Sequence, residues 1–252
     1  MLVTDLDGTV LGDVQALERF HAWRSGVGRH YAVVYATGRT CVDVARLVAG
    51  GQLPAPTYTI GALGTELSEH AAGGKAAIGP PFGDQSWQTR QVKRVLSAMR
   101  ELEVQPEEFQ SPYKVSYFLE RATTEQLKLV GAALSQARIQ FEMIYSGERF
   151  LDILPLGVSK GATAKMLAAK LGVSPREVIA SGDSGNDVSL FRHGFRGVLV
   201  GNAETALARE VQGDIYHSPL THADGVLDGL KYWESVAKKQ DSDCGAPSAV
   251  HS

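Results

Sequence analysis

The chain has 252 residues, 44% of them hydrophobic and 21% charged, which is an ordinary globular composition with ample apolar surface for a core. A net charge of -3 offers no electrostatic basis for nucleic acid or an anionic membrane as partner. The two cysteines, Cys41 and Cys244, stand far apart, so neither a disulfide framework nor a thiolate metal site is indicated. The start shows no basic and then apolar leader, and no stretch is long enough to span a bilayer. A cytoplasmic protein is therefore the expectation, and a monomer or weak dimer is expected.

Met1 to Thr4 reads as the end of a buried strand, broken at Gly8. Between them lies Asp5-Leu6-Asp7, whose carboxylates point the same way on extended backbone while Leu6 points to the core. Crowded carboxylates at a strand end call for a cation, and oxygen-only ligands favour magnesium. Gly8 permits close backbone approach to a ligand, and Thr9 adds a hydroxyl that could face a phosphate oxygen. Taken alone, Asp-x-Asp-Gly is equally well a turn.

Leu17, Phe20 and Trp23 have helical spacing within 14–23. A continuous apolar run over 31–36 predicts a strand buried on both faces, ending at Thr37-Gly38-Arg39, and 42–48 is again helical. Strand, helix, strand, helix argues for parallel βαβ units, whose ligands bind at the carboxyl ends of the strands. Asp5, Asp7 and Thr37 should then share one edge, although Thr37 could simply cap the following helix. Residues 58–60 are a further strand, followed by a turn over 61–66. There is no Gly-x-Gly-x-x-Gly or Walker A loop, which argues against dinucleotide and P-loop enzymes.

From Ala71 to Gly83 the chain is rich in Gly, Ala and Pro, which predicts the crossing into a second domain. Helix 85–101, strand 114–119, helix 124–137 and a hairpin of 140–145 and 149–154 through Ser146-Gly147-Glu148 make an α+β layout. Such an insertion over the mouth of the core would shield a site and could read a substrate. Lys114 and Glu148 could equally be solvated surface charges.

Ser159-Lys160-Gly161 leads into a helix over 164–171. A lysine there opposes the helix dipole unless an anion is bound, which assigns Lys160 to phosphate. Strand 177–180 runs straight into Ser181-Gly182-Asp183-Ser184-Gly185-Asn186-Asp187, a cluster not easily explained as a turn alone. Strand 198–200, Gly201-Asn202-Ala203 and a closing helix over 223–233 follow, and the polar segment 238–252 is expected to fray. His217 and His222 lack other ligands nearby and read as structural or surface residues.

Asp5-Leu6-Asp7-Gly8-Thr9, Thr37-Gly38-Arg39, Lys160 and Gly182 to Asp187 stand in the order and spacing of the haloacid dehalogenase (HAD) superfamily motifs. The insertion lies between the second and third motifs, as in the C2-capped, Cof-like branch. Within it the chain most resembles sucrose-phosphate and mannosylfructose-phosphate phosphatases, on Tyr35 to Arg39, Gly64-Thr65-Glu66, Lys114 to Tyr117, and Leu151 to Pro155 running into Lys160. The glycine of the first motif is often another residue in sucrose phosphatases.

The resemblance implies an α/β fold, a HAD-like Rossmannoid parallel-sheet core (1–81 and 157–237) with an inserted α+β C2-type cap (82–156). It implies a Mg2+-dependent phosphatase hydrolysing a sugar phosphate, foremost a disaccharide phosphate. Asp5 would be the nucleophile, Asp7 the acid and base, and Thr37, Gly38, Lys160 and Asn186 the phosphate holders. Metal would be held by Asp5, the carbonyl of Asp7 and Asp183, with Asp187 orienting Lys160 or the metal's waters. Arg39, Glu66, Lys114, Ser146 and Glu148 would face the sugar. Competing expectations are a broad hexose-phosphate phosphatase, a sugar phosphomutase and, least favoured because Asp7 and a cap are present, a non-enzymatic phospho-sugar sensor.

Overall fold

The computed structural model describes residues 1–70 and 87–244, the last four as helix backbone only. Seven strands form one sheet: β1 (Leu2–Thr4), β2 (Val33–Ala36), β3 (Tyr58–Gly61), β4 (Glu66–Glu69), β9 (Ile179–Gly182), β10 (Arg196–Leu199) and β11 (Ile215–His217). Their order is β11-β10-β9-β1-β2-β3-β4, parallel except for β4, which runs antiparallel to β3. A second, antiparallel sheet of order β5-β6-β8-β7 is made by β5 (Glu103–Val104), β6 (Val115–Phe118), β7 (Phe141–Ser146) and β8 (Phe150–Pro155).

The central strands are mostly apolar and buried because both faces are covered. Leu2, Val33 and Tyr35 pack on one side with Phe20 of α1 (Val14–Ser25) and Val226 and Leu230 of α7 (His222–Cys244). Val3, Val34 and Ala36, each one residue on, face Ala164 and Leu167 of α5 (Lys160–Lys170) on the other. A separate core joins Val115, Leu151 and Ile153 of the second sheet to Val92 and Leu96 of α3 (Thr89–Leu96) and Val130 and Leu134 of α4 (Thr124–Gln136). This is the mixed α/β architecture expected from the strand and helix rhythm.

Boundaries differ where local chemistry overrides periodicity. The helix after β2, α2 (Cys41–Ala49), is capped by Thr40, whose hydroxyl accepts from Asp43 N at 3.1 Å, so Thr37 does not serve as its cap. Helix α5 starts at Lys160 with Ser159 as cap, four residues before the periodic pattern. The closing helix runs from His222 to Cys244, well past 233, and takes in residues 238–244 that were expected to fray. Strand β4 replaces part of the turn expected after β3, and β5, α6 (Thr205–Glu210) and β11 were not foreseen. The predicted crossing over 71–83 lies outside the described residues. No helix among the described residues is long and apolar enough to cross a membrane.

Candidate active site

Strands β1, β2, β9 and β10 are parallel neighbours, so the segments leaving their carboxyl ends converge on one edge. Asp5 follows β1 directly and is buried, with its N-H bonded to Ser181 O on β9. Lys160, fully buried at the first turn of α5, donates to Asp5 Oδ1 and to Asp187 Oδ1, both at 2.7 Å, and also to Asn186 Oδ1. The anion that reconciles this lysine with the helix dipole is therefore in the first place a pair of the protein's own carboxylates. Asp187 Oδ2 accepts from the N-H groups of Asp183 and Ser184, at 3.0 and 3.2 Å. With both oxygens engaged, Asp187 anchors Lys160 and shapes the loop of Asp183.

Carboxylate oxygens of Asp5, Asp183 and Asp187 lie within 4.8 Å of one another. Like charges at that separation repel by about 3 kcal/mol per pair at an effective dielectric near 20. Burial, then the Asp187 carboxylate, push the Asp5 carboxyl well above the usual carboxylate range, against the opposing pull of Lys160. Burial and Asp187 likewise push Asp183 up to about 6. Lys160 is lowered by its burial, but Asp187 and Asp5 outweigh that and leave it above the ordinary lysine value. One lysine cannot balance three carboxylates, and an all-oxygen donor set with excess negative charge suits a hard divalent cation.

Gly8, at φ +83°, turns the chain sharply after Asp7. A Cβ there would lie 2.3 Å from Asp183 Oδ2, so only glycine lets the first turn reach Asp183. Thr9, expected to offer its hydroxyl to phosphate, instead donates it to Asp183 Oδ1 at 2.8 Å. Asp7 points away from the carboxylate cluster. Its exposed side chain takes two hydrogen bonds from Arg39, Nε to Oδ2 at 2.8 Å and Nη2 to Oδ1 at 2.6 Å. Any part of Asp7 in a metal site would thus be its backbone, as the resemblance implies.

Thr37 is buried after β2 and accepts the Arg39 N-H on its hydroxyl at 3.2 Å, and Gly38 follows at the rim. Lys114, immediately before β6 of the second sheet, is buried. It donates to Gly38 O at 3.3 Å and sits 3.7 Å from Asp152 Oδ1, which also accepts from Ser116 Oγ at 2.5 Å. Lys114 is therefore not a solvated surface charge. Ser146 is buried against Gly185, where a Cβ would come within 3.6 Å of its own Cβ. Glu148 occupies the exposed tip of the β7–β8 hairpin in left-handed backbone, and its carbonyl accepts from Arg121 N at 2.6 Å. Glu66 has its Oε2 on Cys41 N at 2.7 Å, tying β4 to the start of α2.

The family model for sucrose-6F-phosphate phosphohydrolase matches residues 1–234. A mannosylfructose-phosphate phosphatase from Agrobacterium fabrum is 35% identical over 92% of this chain and 96% of its own length. Sucrose-phosphatase 2 of Nicotiana tabacum is 32% identical over 82% of this chain, which spans only about half (51%) of that protein. Among solved structures, the sucrose-phosphatase from Synechocystis sp. PCC6803, in complex with sucrose and phosphate, superposes with a TM-score of 0.82 at 27% identity. That match covers 92% of this chain and 97% of the other. A HAD subclass IIB sugar phosphatase shares the fold, with a TM-score of 0.65 at 16% identity over 92% of this chain and 98% of the other. On these grounds the chain belongs to the sucrose-phosphatase family and is a phosphoric monoester hydrolase.

Proposed function

We propose that the chain hydrolyses the phosphate monoester of a sugar, foremost a disaccharide phosphate such as sucrose 6-phosphate or mannosylfructose phosphate, through an aspartyl-phosphate on Asp5. The observation that carries this reading is the arrangement at Asp5, a buried carboxylate held at 2.7 Å by Lys160 and crowded by Asp183 and Asp187. The substrate class is supported by likeness to the Agrobacterium mannosylfructose-phosphate phosphatase and to the Synechocystis protein bound to sucrose and phosphate.

Asp5 attacks phosphorus, and the bond to the sugar oxygen breaks, its electron pair leaving with that oxygen. Asp7 gives the departing oxygen a proton. Asp7 then takes a proton from the water that attacks the aspartyl-phosphate, which releases inorganic phosphate and restores Asp5. Lys160 and the Thr37 hydroxyl, with the Gly38 backbone, hold the phosphoryl oxygens, and Asn186 and Asp187 orient the Lys160 ammonium. Asp5, Asp183 and the Asp7 carbonyl would hold Mg2+, whose charge offsets the repulsion between carboxylate and phosphate.

Residues 87–156, the described part of the expected insertion 82–156, serve as the cap. Lys114, Asp152 and Ser146, on the face of the second sheet that meets Gly38 and Gly185, would read the sugar together with Arg39. Glu66 is left a structural part, since its carboxylate serves Cys41 N. Asp5→Asn should abolish turnover, below about 10⁻³ of wild type, with the melting temperature unchanged or raised, because burial and Asp187 already disfavour the Asp5 charge and Asp187 still pairs Lys160. Mass spectrometry of acid-quenched wild type should find phosphate on Asp5. Turnover retained by Asp5→Asn would remove the covalent route.

A further inference from the structure

The loop after β10 carries none of the four motifs, yet it is bonded to two of them. Asn202 donates its Nδ2 to Gly8 O at 2.7 Å, across 194 residues of chain. Its Oδ1 accepts from His222 N at 2.9 Å, and Gly201 N donates to Leu220 O at 2.7 Å, so the loop is fixed to the start of α7. His222 reaches that position in left-handed backbone, φ +52°, an unusual state for a residue with a Cβ. Its ring also lies against Gly12, where a Cβ would meet it at 2.3 Å.

Two residues on, Glu204 N donates to Asp183 O at 2.7 Å, and Glu204 Oε2 accepts from Gly185 N at 3.1 Å. Glu204 occupies the cap position of α6, but its side chain does not cap that helix. Its carboxylate goes instead to a loop 19 residues earlier in the chain. One four-residue segment thus binds the turn after the nucleophile on one side and the Asp183 loop on the other.

We propose that Asn202 and Glu204 are positioning residues that hold the Asp5–Gly8 turn and the Asp183–Asp187 loop at a fixed separation, so that Asp5 and Asp183 can share one divalent cation. This rests on the metal site proposed above. The direction of each bond matters. An aspartate at 202 keeps the acceptor for His222 N but turns a repelling oxygen toward Gly8 O, whereas a glutamine at 204 keeps the acceptor for Gly185 N.

The test compares wild type with Asn202→Asp, Glu204→Ala and Glu204→Gln. Amide hydrogen exchange of metal-free protein is the first readout. Asn202→Asp should speed exchange of the segment 5–12, and Glu204→Ala that of 183–187, at least tenfold, with the β1, β2 and α7 cores unchanged. Glu204→Gln should match wild type. The second readout is Mn2+ binding followed by electron paramagnetic resonance, where the first two variants should lose tenfold or more in affinity and Glu204→Gln should not. In turnover, kcat should fall with KM for the sugar phosphate unchanged. Wild-type exchange in both loops of Asn202→Asp and Glu204→Ala would overturn the proposal. If wild type itself takes up no Mn2+, the metal reading fails, and the exchange result still decides whether the clamp exists.

Discussion

Arg39 grips Asp7 with two parallel hydrogen bonds, at 2.6 and 2.8 Å, and so holds the proposed acid and base at the mouth of the site rather than in the carboxylate cluster. The pair is 40% and 53% exposed, which limits its worth to stability to less than about 1 kcal/mol. Its worth to catalysis is a different matter, since the planar fork sets the direction of the carboxylate. Arg39→Lys offers a point charge in place of the fork and is expected to lower kcat/KM about tenfold, and Arg39→Ala more. Both should melt within 2–3 °C of wild type, about what such a loss implies. Unchanged kinetics in Arg39→Ala would show that Asp7 needs no orientation.

Lys160 is fully buried and stands between Asp5 and Asp187. Removing one partner of such a group strands the others without compensation, which typically costs about 3–5 kcal/mol. Lys160→Ala is therefore expected to lose that much in urea unfolding at pH 7.5 and to retain less than about 10⁻³ of the activity. A variant as stable as wild type would contradict the role given to Lys160 in holding the two carboxylates together.

The raised carboxyls couple stability to pH and to metal. Asp183 ionises near 6 in the folded metal-free chain and near 4 when unfolded, and Asp5 is shifted in the same direction. Between those values the folded state binds more protons than the unfolded one, so stability falls as pH rises through the window from about 4 to 6. Below it the two states are protonated alike, and above it the full Asp183 penalty is present. A divalent cation needs the ionised form and competes with the proton. With EDTA, these two carboxyls should lower the melting temperature from pH 5 to 7.5, whereas 5 mM MgCl2 should raise it strongly at pH 7.5 and little at pH 5. An equal Mg2+ effect at both pH values would contradict the assignment of Asp183 to the metal.

The gathering of Asp5, Thr37, Lys160 and Asp183 at one sheet edge was legible because each follows a strand or opens a helix whose apolar run declares itself. The polar ties among them were not. Thr9 turned to Asp183 rather than outward, and Glu66 to the start of α2, since hydrogen-bond partners far apart in sequence leave no periodic trace. Asn202 and Glu204 escaped notice for the same reason, although Gly201-Asn202-Ala203 stood at a strand end as the other motifs do. Strands β5 and β11, of two and three residues, are too short for any alternation to show. Thr37 and Thr40 are both hydroxyls near one helix start, and only the backbone path decides which one caps it.

The central claim is tested most directly by phosphate release from sucrose 6-phosphate, mannosylfructose phosphate, trehalose 6-phosphate, glucose 6-phosphate and mannose 6-phosphate, with Mg2+ and with EDTA, using wild type and Lys114→Ala. One disaccharide phosphate should exceed the monosaccharide phosphates by a hundredfold or more in kcat/KM, about 2.7 kcal/mol of discrimination. That preference should vanish with EDTA and shrink in Lys114→Ala. Equal cleavage of all five would make the chain a broad sugar phosphatase, and no cleavage of any would contradict the account.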